Sequence, residues 1–209
     1  MTNLGKQRRA RRACVVVATC VTILTARTCV KPSSTMARSV GRPALQASQR
    51  DAGPTSEPAS LTWASSKGIK IKYLPDWQPR KNPDFELMLI PVGTTTDRRR
   101  ITIDVPDLPP HLPFMIQMSR VERGYIEDLK KEHPDLKVND AADAHVPESK
   151  ARLIRSIWHR ENQKFNDMAL LVIHDSSVYI LDAQTDETNL PPTRAAFDFI
   201  RSSIAWTKH

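Results

Sequence analysis

Gly68-Ile69-Lys70-Ile71-Lys72-Tyr73-Leu74-Pro75-Asp76-Trp77 is the stretch on which the reading of the fold turns. Isoleucine alternates with lysine up to Tyr73, the period of a β-strand with one face in a core and one in water. Pro75 ends such a strand, because it lacks the amide that a further rung of the ladder needs. Trp77 then stands where the sheet ends. Burying an indole there contributes several kcal/mol of transfer free energy, so Trp77 is expected in the core rather than on display as a ligand platform.

Downstream of this strand, Phe85 to Pro91 is a short apolar run and Ile101-Thr102-Ile103-Asp104-Val105 alternates again, two further strands. Pro106, Pro109, Pro110 and Pro113 follow and cannot continue a ladder, so they mark an extended loop. Ser119-Arg120-Val121-Glu122 has the form of a capping box opening a helix. Val121, Tyr125 and Leu129 share one face of that helix, Lys130 and Lys131 suit its C-terminal dipole, and Pro134 stops it. Leu136–Val138 and Arg152–Arg160 are further strand candidates, with Trp158 expected in the core. Leu170-Leu171-Val172-Ile173 is apolar at four consecutive positions, as a central strand covered on both faces requires. Asp175-Ser176-Ser177 turns the chain, and Val178 to Leu181 returns it as a hairpin. Pro191-Pro192 opens a last helix with Ala196, Phe197, Ile200 and Ile204 on its buried stripe. Strands, a helix, strands in tight hairpins and a helix again make an α+β fold: an antiparallel sheet with helices on both faces, not a βαβ array.

The 209 residues carry a formal charge of +8, but its distribution matters more than its size. Residues 1–50 hold ten of the 31 Lys and Arg and none of the 23 Asp and Glu, which leaves 21 bases against 23 acids in the rest. A slightly acidic body has no net pull on a phosphate backbone, so nucleic acid is not an expected partner. Cys14, Cys20 and Cys29 are the only cysteines, so nothing beyond residue 29 can form a disulfide, a thiolate metal cluster or a Cys nucleophile.

The first thirty residues read as a targeting segment. Lys6 to Arg12 is a basic n-region, and Ala13 to Ala26 is an uncharged, mostly apolar run closed by Arg27. As a helix it would reach about 21 Å, short of the ~30 Å hydrocarbon layer, so a cleaved signal is favoured over a permanent span. Small residues allow cleavage after Ala26 or after Ala37. Arg11-Arg12 permits twin-arginine export, and a transit peptide into an organelle is an alternative for so basic a stretch. Ala26-Arg27-Thr28-Cys29 is a poor lipobox, which leaves lipidation at Cys29 as a minor route to a membrane anchor. Residues 31–60 are a Pro-, Ser- and Ala-rich linker without periodicity, and residues 61–209 are one domain.

The opening strand followed by Pro75-Asp76-Trp77 resembles the start of the PsbP/Mog1-like superfamily, which includes exported bacterial proteins of the DUF1795 group. The later segments fit in order: Gly124-Tyr125-Ile126-Glu127-Asp128-Leu129 in the middle helix, the hairpin region Arg152 to Ala183, and Phe197 to Ser203 in the last helix. The resemblance implies an α/β/α sandwich around an antiparallel sheet, and an accessory or binding protein rather than an enzyme.

Chemistry-bearing residues are sparse. No Gly-x-Ser-x-Gly occurs, and no glycine-rich phosphate loop can be built from a chain with six glycines. His145, His159 and His174 lie near strands without a metal-ligand spacing, although His159 and His174 could face each other across the hairpin. Asp104/Asp107 and Asp182/Asp186 read as solvated acids at strand ends. No catalytic residue, metal ligand or cofactor site is therefore expected. Two contact surfaces are: the stiff loop with Leu108, His111, Leu112 and Phe114, and the basic run Arg98-Arg99-Arg100, which suits an anionic partner. The expected function is an exported, non-enzymatic binding or accessory protein of the cell envelope, periplasmic or extracellular, whose partner is another envelope protein or a small ligand. It touches a membrane only through its signal segment unless Cys29 is lipidated. The alternatives are an enzyme with an unrecognised site and a lipid-anchored structural envelope protein.

Overall fold

Alternation and turn chemistry carry through directly into the strand layout of the computed structural model, which describes residues 59–107 and 117–207. The targeting segment with Cys29, nearly all of the linker, and Leu108, His111, Leu112 and Phe114 lie outside the described residues. In chain order the elements are β1 (Leu61–Ala64), β2 (Ile69–Tyr73), β3 (Trp77–Pro79), β4 (Leu87–Pro91), β5 (Arg100–Asp104), α1 (Met118–Glu132), β6 (Lys137–Val146), β7 (Ser149–Arg160), β8 (Gln163–His174), β9 (Ser177–Asp186), α2 (Leu190–Ser202) and β10 (Ala205–Trp206). They form a seven-stranded sheet ordered β3-β4-β5-β9-β8-β7-β6 and a three-stranded sheet ordered β1-β2-β10, every pair antiparallel.

The two faces of the large sheet are covered differently. Ile69, Ile71 and Tyr73 of β2 and Ala196, Phe197 and Ile200 of α2 pack on one face, against Leu153, Leu170, Leu181 and Ile101. Val121 of α1 packs on the other, against Ile154, Leu171 and Val178. Leu170 and Leu171 are neighbours in β8 yet belong to opposite cores, so the apolar run is covered on both faces, as expected of a central strand. Trp77 and Trp158 are both core residues. The fold is thus the expected α+β sandwich, with the small sheet sharing one layer with α2. No helix among the described residues is long and apolar enough to cross a membrane.

Tight hairpins hold the long strands in register. Glu161 and Asn162 (φ 53° and 63°) and then Asp175 and Ser176 (φ 43° and 62°) turn β7 into β8 and β8 into β9 with consecutive left-handed residues, whose twist matches that of the strands.

Two local expectations fail. The capping box does not form: α1 starts at Met118 after Gln117, no side chain caps it, and Ser119 is already inside the helix. Glu122 instead faces Arg152 of β7, with Nε donating to its carboxylate at 3.1 Å, because a cross-element guanidinium is a better partner than the helix's own amide. The second concerns Asp182, which is not at a strand end but in the middle of β9, opposite Thr102 and Ala169.

Candidate functional site

A cleft opens at one end of the large sheet because three pieces of backbone converge there: the β6–β7 turn at Pro147-Glu148, the β8–β9 turn at Asp175-Ser176, and the first turn of α1. The β7–β8 ladder sets Lys150 opposite Ile173, which brings the two turns side by side. The cleft has a volume of about 810 Å³. Its chemistry is mixed. The first turn of α1 has no side-chain cap and no acidic residue, and the Gln117 carbonyl takes the amides of Arg120 and Val121. Lys150 adds a cation, Glu148 and Asp175 add acceptors, and Met118 and Ile173 add apolar wall.

His174 is fixed within this cleft. Its ring stacks on Trp206 with centroids 3.9 Å apart and an interplanar angle of 6°. Nδ1 lies 3.1 Å from Ser149 Oγ and 3.2 Å from the Glu148 carbonyl oxygen, and Nε2 lies 3.2 Å from Asp175 Oδ2. Ser149, His174 and Asp175 therefore form a continuous chain, which sequence order gave no means of finding. Both ring nitrogens face acceptors, the Glu148 carbonyl at Nδ1 and the Asp175 carboxylate at Nε2, so the tautomer decides which of them donates, and the Ser149 hydroxyl has a second acceptor in the Pro147 carbonyl at 3.1 Å. A serine is activated only when the base turns a lone pair towards its hydroxyl. The cluster is a rigid wall of hydrogen-bonding groups.

The opposite end of the sheet holds a second polar assembly. His133, the C-cap of α1, stacks on Trp158 with centroids 3.6 Å apart, and Trp158 stacks on Phe165 at 4.5 Å. Two residues on, Asp135 Oδ2 accepts the backbone amide of His159 at 2.8 Å and lies 2.9 Å from its Nδ1. His159 pairs with Lys164 and His174 with Ser177, so the two histidines sit at opposite ends of the β7–β8 ladder and not across from each other. Their separation follows from a strand length that the sequence pattern understated. His145 is opposite Lys150 and exposed.

The basic run does not form one patch. Arg98 reaches Gln163 at 3.2 Å and Glu161 at 3.8 Å, and Arg100 reaches Asp97 at 3.7 Å. Arg99 lies over the Trp77 ring at 4.9 Å and donates from Nε to Thr193 Oγ1 at 2.9 Å. Of the acids, Asp107 pairs with Lys67 at 3.2 Å, and Asp186 accepts the Asn189 amide at 2.9 Å.

No protein-family model matches the chain, and no curated protein matches it in sequence. Solved structures do. The cyanobacterial PsbP protein (CyanoP) of Synechocystis sp. PCC 6803 superposes with a TM-score of 0.56 at 11% identity, over 76% of this chain and 99% of that one. LpqN, involved in cell envelope biogenesis of Mycobacterium tuberculosis, gives 0.48 at 12% identity over 74% and 88% of the two chains. The Saccharomyces cerevisiae Ran-binding protein Mog1p gives 0.49 at 8% identity over 71% and 96%. The fold is PsbP-like, a conclusion that rests on the first of these.

Proposed function

We propose that this chain is an exported, non-catalytic binding module of the cell envelope, and that the cleft between the first turn of α1 and the two hairpin turns is its binding surface. The observation that carries the proposal is the pairing of an open cleft with a wall whose groups are already fixed in place. His174 is held on three sides, by Trp206, by Ser149 with the Glu148 carbonyl, and by Asp175, and is pre-organised to bind. Export is supported by the basic and apolar segment at the start of the sequence, and an accessory role by a fold shared with the cyanobacterial PsbP protein.

The test is recovery of the protein from its native envelope fraction. The mature N-terminus should lie between Arg27 and about Ser39, near the small-residue cleavage sites. A partner retained by the wild type should be lost by Lys150→Glu at an unchanged melting temperature. An uncleaved Met1, or retention by the variant, would overturn the corresponding half of the reading.

One observation favours a second reading, a serine hydrolase, because Ser149, His174 and Asp175 touch one after another beside the start of α1, which no side chain caps. A fluorophosphonate probe separates the two. We expect no adduct on Ser149 at neutral pH, since the Pro147 carbonyl competes with the ring for its hydroxyl. A labelled Ser149, abolished by His174→Ala, would establish the enzyme instead.

A further inference from the structure

The sheet face under the C-terminal half of α1 is not apolar. Strand register places Arg100, Gln184, Asp167 and Ser156 in one row across β5, β9, β8 and β7, with Thr102 and Asp182 in the next. Thr102, Ser156, Asp167 and Gln184 are buried. Ser156 Oγ, Trp158 Nε1 and Asp182 Oδ1 are shielded from solvent without a hydrogen-bond partner. Each such group carries an uncompensated desolvation penalty while it stays covered. The N-terminal half of α1 is seated by Val121 on Ile154, Leu171 and Val178, with Met118, Tyr125 and Ile126 packed against that cluster, whereas beyond Ile126 the helix is held by Leu129 and by the stack of His133 on Trp158.

We propose that the C-terminal half of α1 is a lid that mild acid releases, with His133 as the latch and the Asp135–His159 pair as the hinge. The geometry assigns the two roles separately. His133 presents a ring face to Trp158, so its docking requires a half-buried imidazole between an indole and a polar floor. The groups facing it are Glu132 of α1, Asp135 of the connection, Arg100 of β5, Asp182 of β9 and the Trp158 ring of β7. Burial, reinforced by Arg100, outweighs the three acids and holds His133 below the ordinary histidine range. A histidine lowered in the folded state stabilises it fully above that range and loses this contribution as the pH falls. Asp135 behaves differently: its hydrogen bonds with His159 hold it below the usual carboxylate range, so the hinge stays ionised over the pH interval in which the latch protonates. Release bares Trp158, Phe165 and the polar row while α1 remains tethered at both ends.

Hydrogen exchange of the full chain, normalised to intrinsic rates, tests this at about pH 7.5 and about pH 5, the interval in which histidines change charge. The amides of residues 125–136 should lose protection by roughly an order of magnitude at the lower pH, while those of β8 and β9 keep theirs. His133→Gln should remove the pH difference. His133→Phe, which keeps the stack, should remove it as well and covers the case in which the glutamine variant docks poorly. Three results would overturn the lid: equal protection at both pH values, an unchanged pH dependence in both variants, or a loss shared equally by β8 and β9, which is global unfolding.

Discussion

Trp158→Ala should lower unfolding stability by about 3–5 kcal/mol, as truncations of a fully buried tryptophan do. The side chain is 2% exposed and stacks with both His133 and Phe165, with Leu129 and Leu136 completing the cluster. Alanine leaves a cavity that these cannot readily fill, because Leu129 and His133 are held by α1, Leu136 by the connection that follows it and Phe165 by β8. Trp158→Phe should behave quite otherwise and remain within about 1.5 kcal/mol of the wild type. Its indole Nε1 has no hydrogen-bond partner, so phenylalanine loses no bond and removes a buried orphan donor that itself costs about 1–3 kcal/mol. Urea titration of both variants decides the matter. A phenylalanine variant as unstable as the alanine one would mean that Nε1 is bonded in solution.

Strands β2 and β8 show what the sequence made legible. Where a strand has one wet face, as in Ile69–Tyr73, or two dry ones, as in Leu170–Ile173, the hydrophobic pattern reports the burial directly. β6 was readable only at its start. As the edge strand of the large sheet it exposes most of its length, so Asn139, Asp140, Ala142 and Asp143 carry no alternation. The same limit hid the cleft. Ser149 and His174 are 25 residues apart and meet because β7 and β8 pair in one register, a fact that residue order does not encode. The polar row beneath α1 was invisible for a related reason: acids inside a strand look like acids at its end until its length is known. Asp182 is the instance. The mistaken capping box has a different origin, since Ser-x-x-Glu describes a local preference and Arg152 is a distant competitor.

The run Arg98-Arg99-Arg100 is where sequence and structure part most clearly, and Arg99→Ala should cost about 2–3 kcal/mol against at most about 0.5 kcal/mol for Arg98→Ala. Arg98 is half-exposed and meets Glu161 only at 3.8 Å, a screened surface contact. Arg99 makes two contacts at once. Its guanidinium covers Trp77, its Nε–H is accepted by Thr193 Oγ1, and Thr193 is fully buried on α2, where its hydroxyl donates to the Asn189 carbonyl at 2.7 Å. The side chain therefore ties the segment before β5 to β3 and to the start of α2. A charged hydrogen bond contributes about 1.5–3 kcal/mol and a cation over an indole about 0.5–2 kcal/mol, and the sum is less than additive because one group makes both. Burial holds Arg99 below the ordinary arginine range, opposed by Asp76 and Asp186, which is the electrostatic mark of a desolvated structural cation. Arg99→Lys should fall between the two, since an ammonium keeps the charge without the planar face or the Nε–H. Equal stabilities for the Arg98 and Arg99 alanine variants would show that the arginine is solvated, and would return it to the solvent-facing role that the sequence alone suggests.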